Sequence, residues 1–216
     1  MAFNIHQQVF DRDGMPLEKK ASQYHDQLID LFVRSPEGQA LSEKGLEPAW
    51  ANMMVDFGMN YLGLTPPQMS PDDLLEILLD LFPNKLSASA DEASAIINEL
   101  QAFWKFLQRV FHLENAAACL SVLDERTARK LETEMNDPAN FGIAKSFVMM
   151  GLQRGFDMSS EEGMNEWMAT YNAELAGGIG PRVPLPGGRS THAQLYLDSL
   201  KLRAPSSKRK KSRKRR

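Results

Sequence analysis

The chain has 216 residues, 43% of them hydrophobic, and a formal net charge of −3. That length and apolar share fit one folded domain with appendages and exclude a wholly disordered chain. Its single cysteine, Cys119, excludes an intramolecular disulfide and a cysteine-based zinc cluster.

No apolar run approaches the roughly 20 residues that a membrane-crossing helix needs; the best candidate, Phe147–Leu152, is far too short. Met1–Gln8 has neither the basic start nor the apolar stretch of a signal peptide, so a cytoplasmic protein is expected. The small net charge hides a division. Residues 201–216 hold ten basic residues and no acidic one, leaving 15 basic and 28 acidic on residues 1–200. A body of −13 and a tail of +10 attract each other and repel their own kind.

Residues 1–16 read as irregular, with Asp13–Gly14 as a turn between short extended segments. A calcium loop does not fit there. With Gly14 as its sixth residue, Val9 and Lys20 would stand where carboxylates are required. From Leu17, the spacing of Tyr24, Leu28, Leu31 and Phe32 predicts a helix ending near Arg34. A short helix after Pro36 is stopped by Gly45. Pro48 opens the next, which presents Trp50, Met53, Met54, Phe57 and Tyr61 and is broken by Thr65–Pro66–Pro67. Ser70–Pro71–Asp72–Asp73 is a helix start, with a cap, a first-turn proline and acids at the positive dipole end. That helix runs from Leu74 to Phe82 and is expected to halt at Pro83.

Ser89–Ala90–Asp91–Glu92 forms a capping box for the longest helix. Ile96, Leu100, Phe103, Leu107 and Val110 make one stripe, and Ile97, Trp104 and Phe111 a second. Polar residues (Asn98, Glu99, Gln101, Lys105, Gln108, Arg109) are confined to a narrow strip, which predicts a central helix. Two shorter helices follow near Glu114–Leu123 and Glu125–Met135. Asp137–Pro138 opens another through Phe141, Ala144, Phe147, Val148 and Leu152, where Gly142 and Gly151 permit close helix approach. Ser159–Ser160–Glu161–Glu162 reads as a capping box for Gly163–Leu175, with Trp167, Met168 and Tyr171 inward. Residues 176–190 are a Gly/Pro-rich linker, 191–204 a short docking helix through Leu195, Leu197 and Leu200, and 205–216 a disordered basic tail.

One stretch carries a resemblance. Leu81–Phe82–Pro83–Asn84–Lys85–Leu86, followed by a capped helix bearing Phe103–Trp104–Lys105–Phe106–Leu107, resembles a helical segment of uncharacterised bacterial proteins. Some of those accompany plasmid-derived or mobile-element reading frames. The likeness covers about 35 residues and implies no activity.

Chemical motifs are few. His6, His25, His112 and His192 are scattered, and none shares a helix face with another at metal-ligand spacing. Asp26 and Asp30 share a face of an ordinary amphipathic helix and read as solvated. Gly177–Gly178–Ile179–Gly180 follows a helix where a phosphate loop would follow a strand. Gly187–Gly188–Arg189–Ser190 sits in the linker, where its glycines read as flexibility. Cys119, among alanines, reads as a small core residue. Neither a cofactor nor a metal is expected. Twelve methionines, including Met53–Met54, Met149–Met150, Met158, Met164 and Met168, suit either an irregular core or an adaptable binding groove.

The sharpest feature is the basic run: Lys208, Arg209, Lys210, Lys211, Arg213, Lys214, Arg215 and Arg216. Flexible cations of this density neutralise phosphates and bind nucleic acid or another polyanion without reading bases. In a eukaryotic chain the same run would be a nuclear-localisation signal. The sequence thus predicts an all-α domain of about eight helices over 17–175 with a nucleic-acid-binding tail. A protein-binding adaptor with a Met-rich helical surface is the alternative, and an enzyme with a dispersed site is a third.

Overall fold

The computed structural model describes residues 3–46 and 48–178, and these form an all-α domain. The linker beyond Gly178, the docking helix expected at 191–204 and the basic tail lie outside the described residues. Among the described residues the one trace of extended pairing is an isolated bridge between Phe10 and Pro16. Asp11 closes the turn between them, its Oδ1 accepting from the backbone N–H groups of Asp13 and Met15. This N-terminal segment is anchored by burial of Ile5 and Val9 and by the Tyr24 hydroxyl, which donates to the Ile5 carbonyl at 3.1 Å.

Helix α1 (Glu18–Val33) is followed by α2 (Pro36–Ser42), α3 (Ala49–Phe57), α4 (Pro71–Glu76), α5 (Phe82–Lys85) and α6 (Ala93–Phe111). Then come α7 (Ala116–Val122), α8 (Glu125–Asn136), α9 (Ile143–Gln153) and α10 (Glu161–Ala176). Caps read from sequence are present where expected: Ser70 accepts from Asp73 N–H while Asp73 returns to the Ser70 N–H, and Ser89–Glu92 closes the box before α6. Helix α6 is central. It buries Ile96, Ile97, Leu100, Phe103, Trp104, Phe106 and Leu107, and α2, α3, α7 and α8 pack around it.

Several expectations need correction. The helix after Ser70 does not halt at Pro83 but continues to Lys85. A wide π turn, Ile77–Leu81, precedes the proline, and Phe82 N–H reaches the Ile77 carbonyl five residues back. The widened turn relieves the clash that a proline ring makes with the carbonyl four residues before it. A similar π turn, Gly58–Leu62, extends α3 until Gly63 ends it at φ +67°. The helix expected from Pro138 begins later, since Pro138–Asn140 is only a 3₁₀ turn and α9 starts at Ile143. Ser160, not Ser159, caps α10, so Gly163 occupies the position a capping-box glutamate would need. Leu31, Tyr61, Val110 and Met168 stand exposed, because each lies at the margin of its apolar stripe or past its last neighbour.

Helices α9 and α10 form a hairpin with an aromatic nucleus of its own. Trp167 is fully buried, its ring 5.5 Å from Phe147, 5.3 Å from Phe156 and 5.5 Å from Tyr171, and its indole N–H donates to the Phe147 carbonyl. Gly151 allows this closeness, for a Cβ there would lie 2.8 Å from the Trp167 ring. The hairpin seats on α5. Gly142 N–H donates to the Asn84 carbonyl at 3.0 Å, and Lys145 Nζ donates to the Pro83 carbonyl at 3.0 Å. A Cβ on Gly142 would lie 2.7 Å from the Asn84 carbonyl oxygen. Gly142→Ala should therefore unseat the hairpin by about 1–3 kcal/mol, as overpacking does. Hydrogen exchange in α9 and α10 should quicken while α6 stays protected, and equal loss of protection in α6 would contradict a separately seated hairpin.

Candidate functional site

The positions singled out from sequence do not converge. The eight basic residues Lys208–Arg216 and His192 lie outside the described residues. His6 and His112 are exposed and His25 is half-buried, each on a different segment. Cys119 is fully buried, with its thiol pushed up to about 12 chiefly by that burial, and the nearby Asp73 charge adds to the shift. Its Sγ faces the Met69 carbonyl at 3.7 Å, so it is a small core residue with no thiolate to offer. The methionines divide. Met54, Met59, Met69, Met135 and Met158 are buried, whereas Met164 and Met168 are exposed on α10.

The sequence had not pointed to the cleft of about 390 Å³ between the start of α1 and the end of α3. It is lined by Pro16, Glu18, Ala21, Ser22, His25, Asp56, Met59 and Asn60. The His25 ring is held on both sides, Nε2 at 3.2 Å from the Asn52 carbonyl and Nδ1 at 3.4 Å from Asp26. Asn60 donates to Asp56 at 2.8 Å, and Ser22 donates to Asp26 rather than to His25. A hydroxyl that faces a carboxylate instead of an imidazole is not set up as a nucleophile. With Glu18 and Asp56 on its walls, the cleft offers acceptors and negative charge to a cationic or hydrogen-bond-donating group. Helical spacing within α1 brings Ser22 and His25 to one face, but only packing adds Asp56 and Asn60. That second half left no local signal in the sequence.

Buried charges were also missed, Glu99 and Lys145 among them. Glu99, placed by sequence in the polar strip of α6, is only 2% exposed. It stands at the N-terminus of α3, where Pro48 supplies no side-chain cap, and its Oε1 accepts from Ala51 N–H at 2.7 Å. It thus serves as the helix cap from 48 residues away. Burial pushes its carboxyl up to about 7, against the backbone N–H groups of Ala51, Trp50 and Ala49, which favour the anion. Lys145, 3% exposed, lies 4.1 Å over the Phe141 ring, and burial brings its amine down to about 8. In the last turn of α6, Arg109 forks onto Glu37, both bonds at 2.7 Å, and this holds the Glu37 carboxyl down at about 2. Glu99 and Lys145 face backbone groups, and Glu37 faces Arg109 in a surface ion pair, so these three positions do not form one site.

Comparison with protein-family models, curated proteins and solved structures finds no match to this chain.

Glu99 makes stability fall with rising pH. Folded, the carboxyl keeps its proton up to about pH 7; unfolded, it releases it near its ordinary 4.5. Between those values the folded state binds more protons, so stability is greatest below the window and lost across it. The loss is on the order of 3 kcal/mol at about 1.4 kcal/mol per pKa unit. Glu99→Gln keeps an acceptor for Ala51 N–H but cannot ionise. Urea midpoints should show this variant matching the parent near pH 4.5 and exceeding it near pH 8. An unchanged pH slope would remove Glu99 from the account.

Proposed function

We propose that this is a non-enzymatic helical interaction protein tethered to nucleic acid, without regard to sequence, through its Lys/Arg-rich tail. The observation that carries this reading is the segregation of charge: ten cations and no carboxylate on 201–216 against 28 carboxylates on the rest. Several cations of the helical body are already engaged. Arg34 pairs with Asp30, Arg109 with Glu37, Arg129 with Glu125, Lys130 with Glu134, and Arg154 with Glu174. An acidic body repels a phosphate backbone, so contact falls to Lys208–Arg216, which release counterions as they neutralise phosphates. No aromatic follows Tyr196, and base stacking is therefore not part of the tail's affinity.

A second reading, a protein-binding adaptor, is favoured by one observation. Met164, Met168 and Leu175 recur at helical spacing on one flank of α10 and are 39%, 45% and 41% exposed. Soft, adaptable side chains in such a row suit a helical partner.

The tether is tested by titrating oligonucleotides of unrelated sequence at several salt concentrations. Each phosphate neutralised contributes a log–log slope of about −0.9 on a duplex, so eight partly engaged cations give about −4 to −6. Affinity should be the same for all sequences, survive replacement of the tail lysines by arginine, and vanish when the eight basic residues become glutamine. Binding that persists after that replacement would place the site in the helical body and overturn the tether.

A further inference from the structure

We propose that the apolar flank of α10 is the seat of this chain's own segment 191–202, which lies antiparallel to α10 and brings the basic run against the acidic start of that helix. The flank consists of Met164, Met168 and Leu175, bordered by half-buried Tyr171, and none of the three joins the hydrophobic core. Their spacing of four and seven places them along nearly the whole helix. Such a row in water leaves apolar area that a matching face would cover.

The occupant follows from where the chain goes next. The described residues end at Gly178, just past the C-terminus of α10 at Ala176. Residues 179–190 span at most about 40 Å when extended, while α10 is about 24 Å long, so the following segment can reach any point on the flank. Segment 191–202, Thr-His-Ala-Gln-Leu-Tyr-Leu-Asp-Ser-Leu-Lys-Leu, sets Ala193, Tyr196, Leu197 and Leu200 at spacings of three and four. As a helix it is about 18 Å long, close to the run from Leu175 back to Met164.

Charge decides the direction. Asp157, Glu161 and Glu162 cluster at the start of α10, and the Asp157 carboxyl is held below its usual range, chiefly by the Ser159 hydroxyl and N–H. An antiparallel segment delivers Arg203 and Lys208–Arg216 to this end. A parallel one carries them toward Gly177, where Glu174 is already paired with Arg154. The inference does not depend on what the tail binds.

The full chain tests it. Cys119 is buried and inert, so Asn172→Cys, exposed beside the flank, gives one site for a nitroxide spin label. Amide signals of residues 195–202 should lose at least half their intensity in the labelled chain. Their hydrogen exchange should be slowed roughly tenfold or more relative to an unstructured peptide. A mixture of labelled chain with isotope-enriched, unlabelled chain should show no loss. Leu197→Asp with Leu200→Asp, outside the helical body, should restore both signal and exchange. Loss seen only in the mixture would mean that a second copy covers the flank. No loss at all would leave the flank open to another protein, and loss that survives the double substitution would mean mere proximity. Each of these three results overturns the proposal.

Discussion

The constraint on which the rest of the domain depends is the near-complete burial of α6. Seven large apolar side chains from Ile96 to Leu107 emerge from most of its circumference. Each is worth about 1.5–3 kcal/mol when removed from water, which no single neighbouring helix can supply by covering one face. The chain therefore wraps it: α2 and α3 approach from one part of the sequence, α7 and α8 from another. Phe32 of α1 completes the enclosure by meeting Phe103 edge-on at 5.0 Å. Wrapping leaves little room for polar groups on α6. Glu99 is accommodated because α3 presents a helix N-terminus, with its unmet N–H groups, at that point.

Local signals mark the start of several helices, since a cap acts within three or four residues. Ser70–Pro71 and Ser89–Glu92 cap as their residue types require. Other features depend on a partner distant in sequence and left no such trace. Pro83 looked like a helix terminator because the preceding π turn changes the hydrogen-bond spacing and carries no residue signature. Glu99 looked like a surface residue because its cap partner is α3. Lys145 carries no local sign of burial because the Pro83 carbonyl that it reaches lies 62 residues away. The cleft left no signal, because only packing brings Asp56 and Asn60 to Ser22 and His25. Met168 sits beside Trp167, and at 100° per residue one of two adjacent side chains turns outward when the other is fully buried.

Much of the polar chemistry inside the domain is occupied by architecture. Tyr24 holds the N-terminal segment, Asn115 bridges the Pro66 and Met69 carbonyls, Glu99 caps α3 and Lys145 fastens α9. Asn140 and Lys130 similarly engage buried Glu134. What remains for recognition among the described residues is the acidic cleft near His25 and the flank of α10, and the sequence adds the basic run. These three differ in chemistry, so contacts made at one need not compete for the same kind of partner as the others.

The hairpin of α9 and α10 has a consequence for how the molecule comes apart. Trp167 belongs to its nucleus, while Trp50 and Trp104 belong with the main core. Two nuclei joined through a short helix of four residues form two cooperative units of unequal size. The smaller one can open and close while the larger remains intact, exposing Phe147, Phe156 and Trp167 together. That transient state, not the fully unfolded chain, is then the form most accessible to a protease or to aggregation.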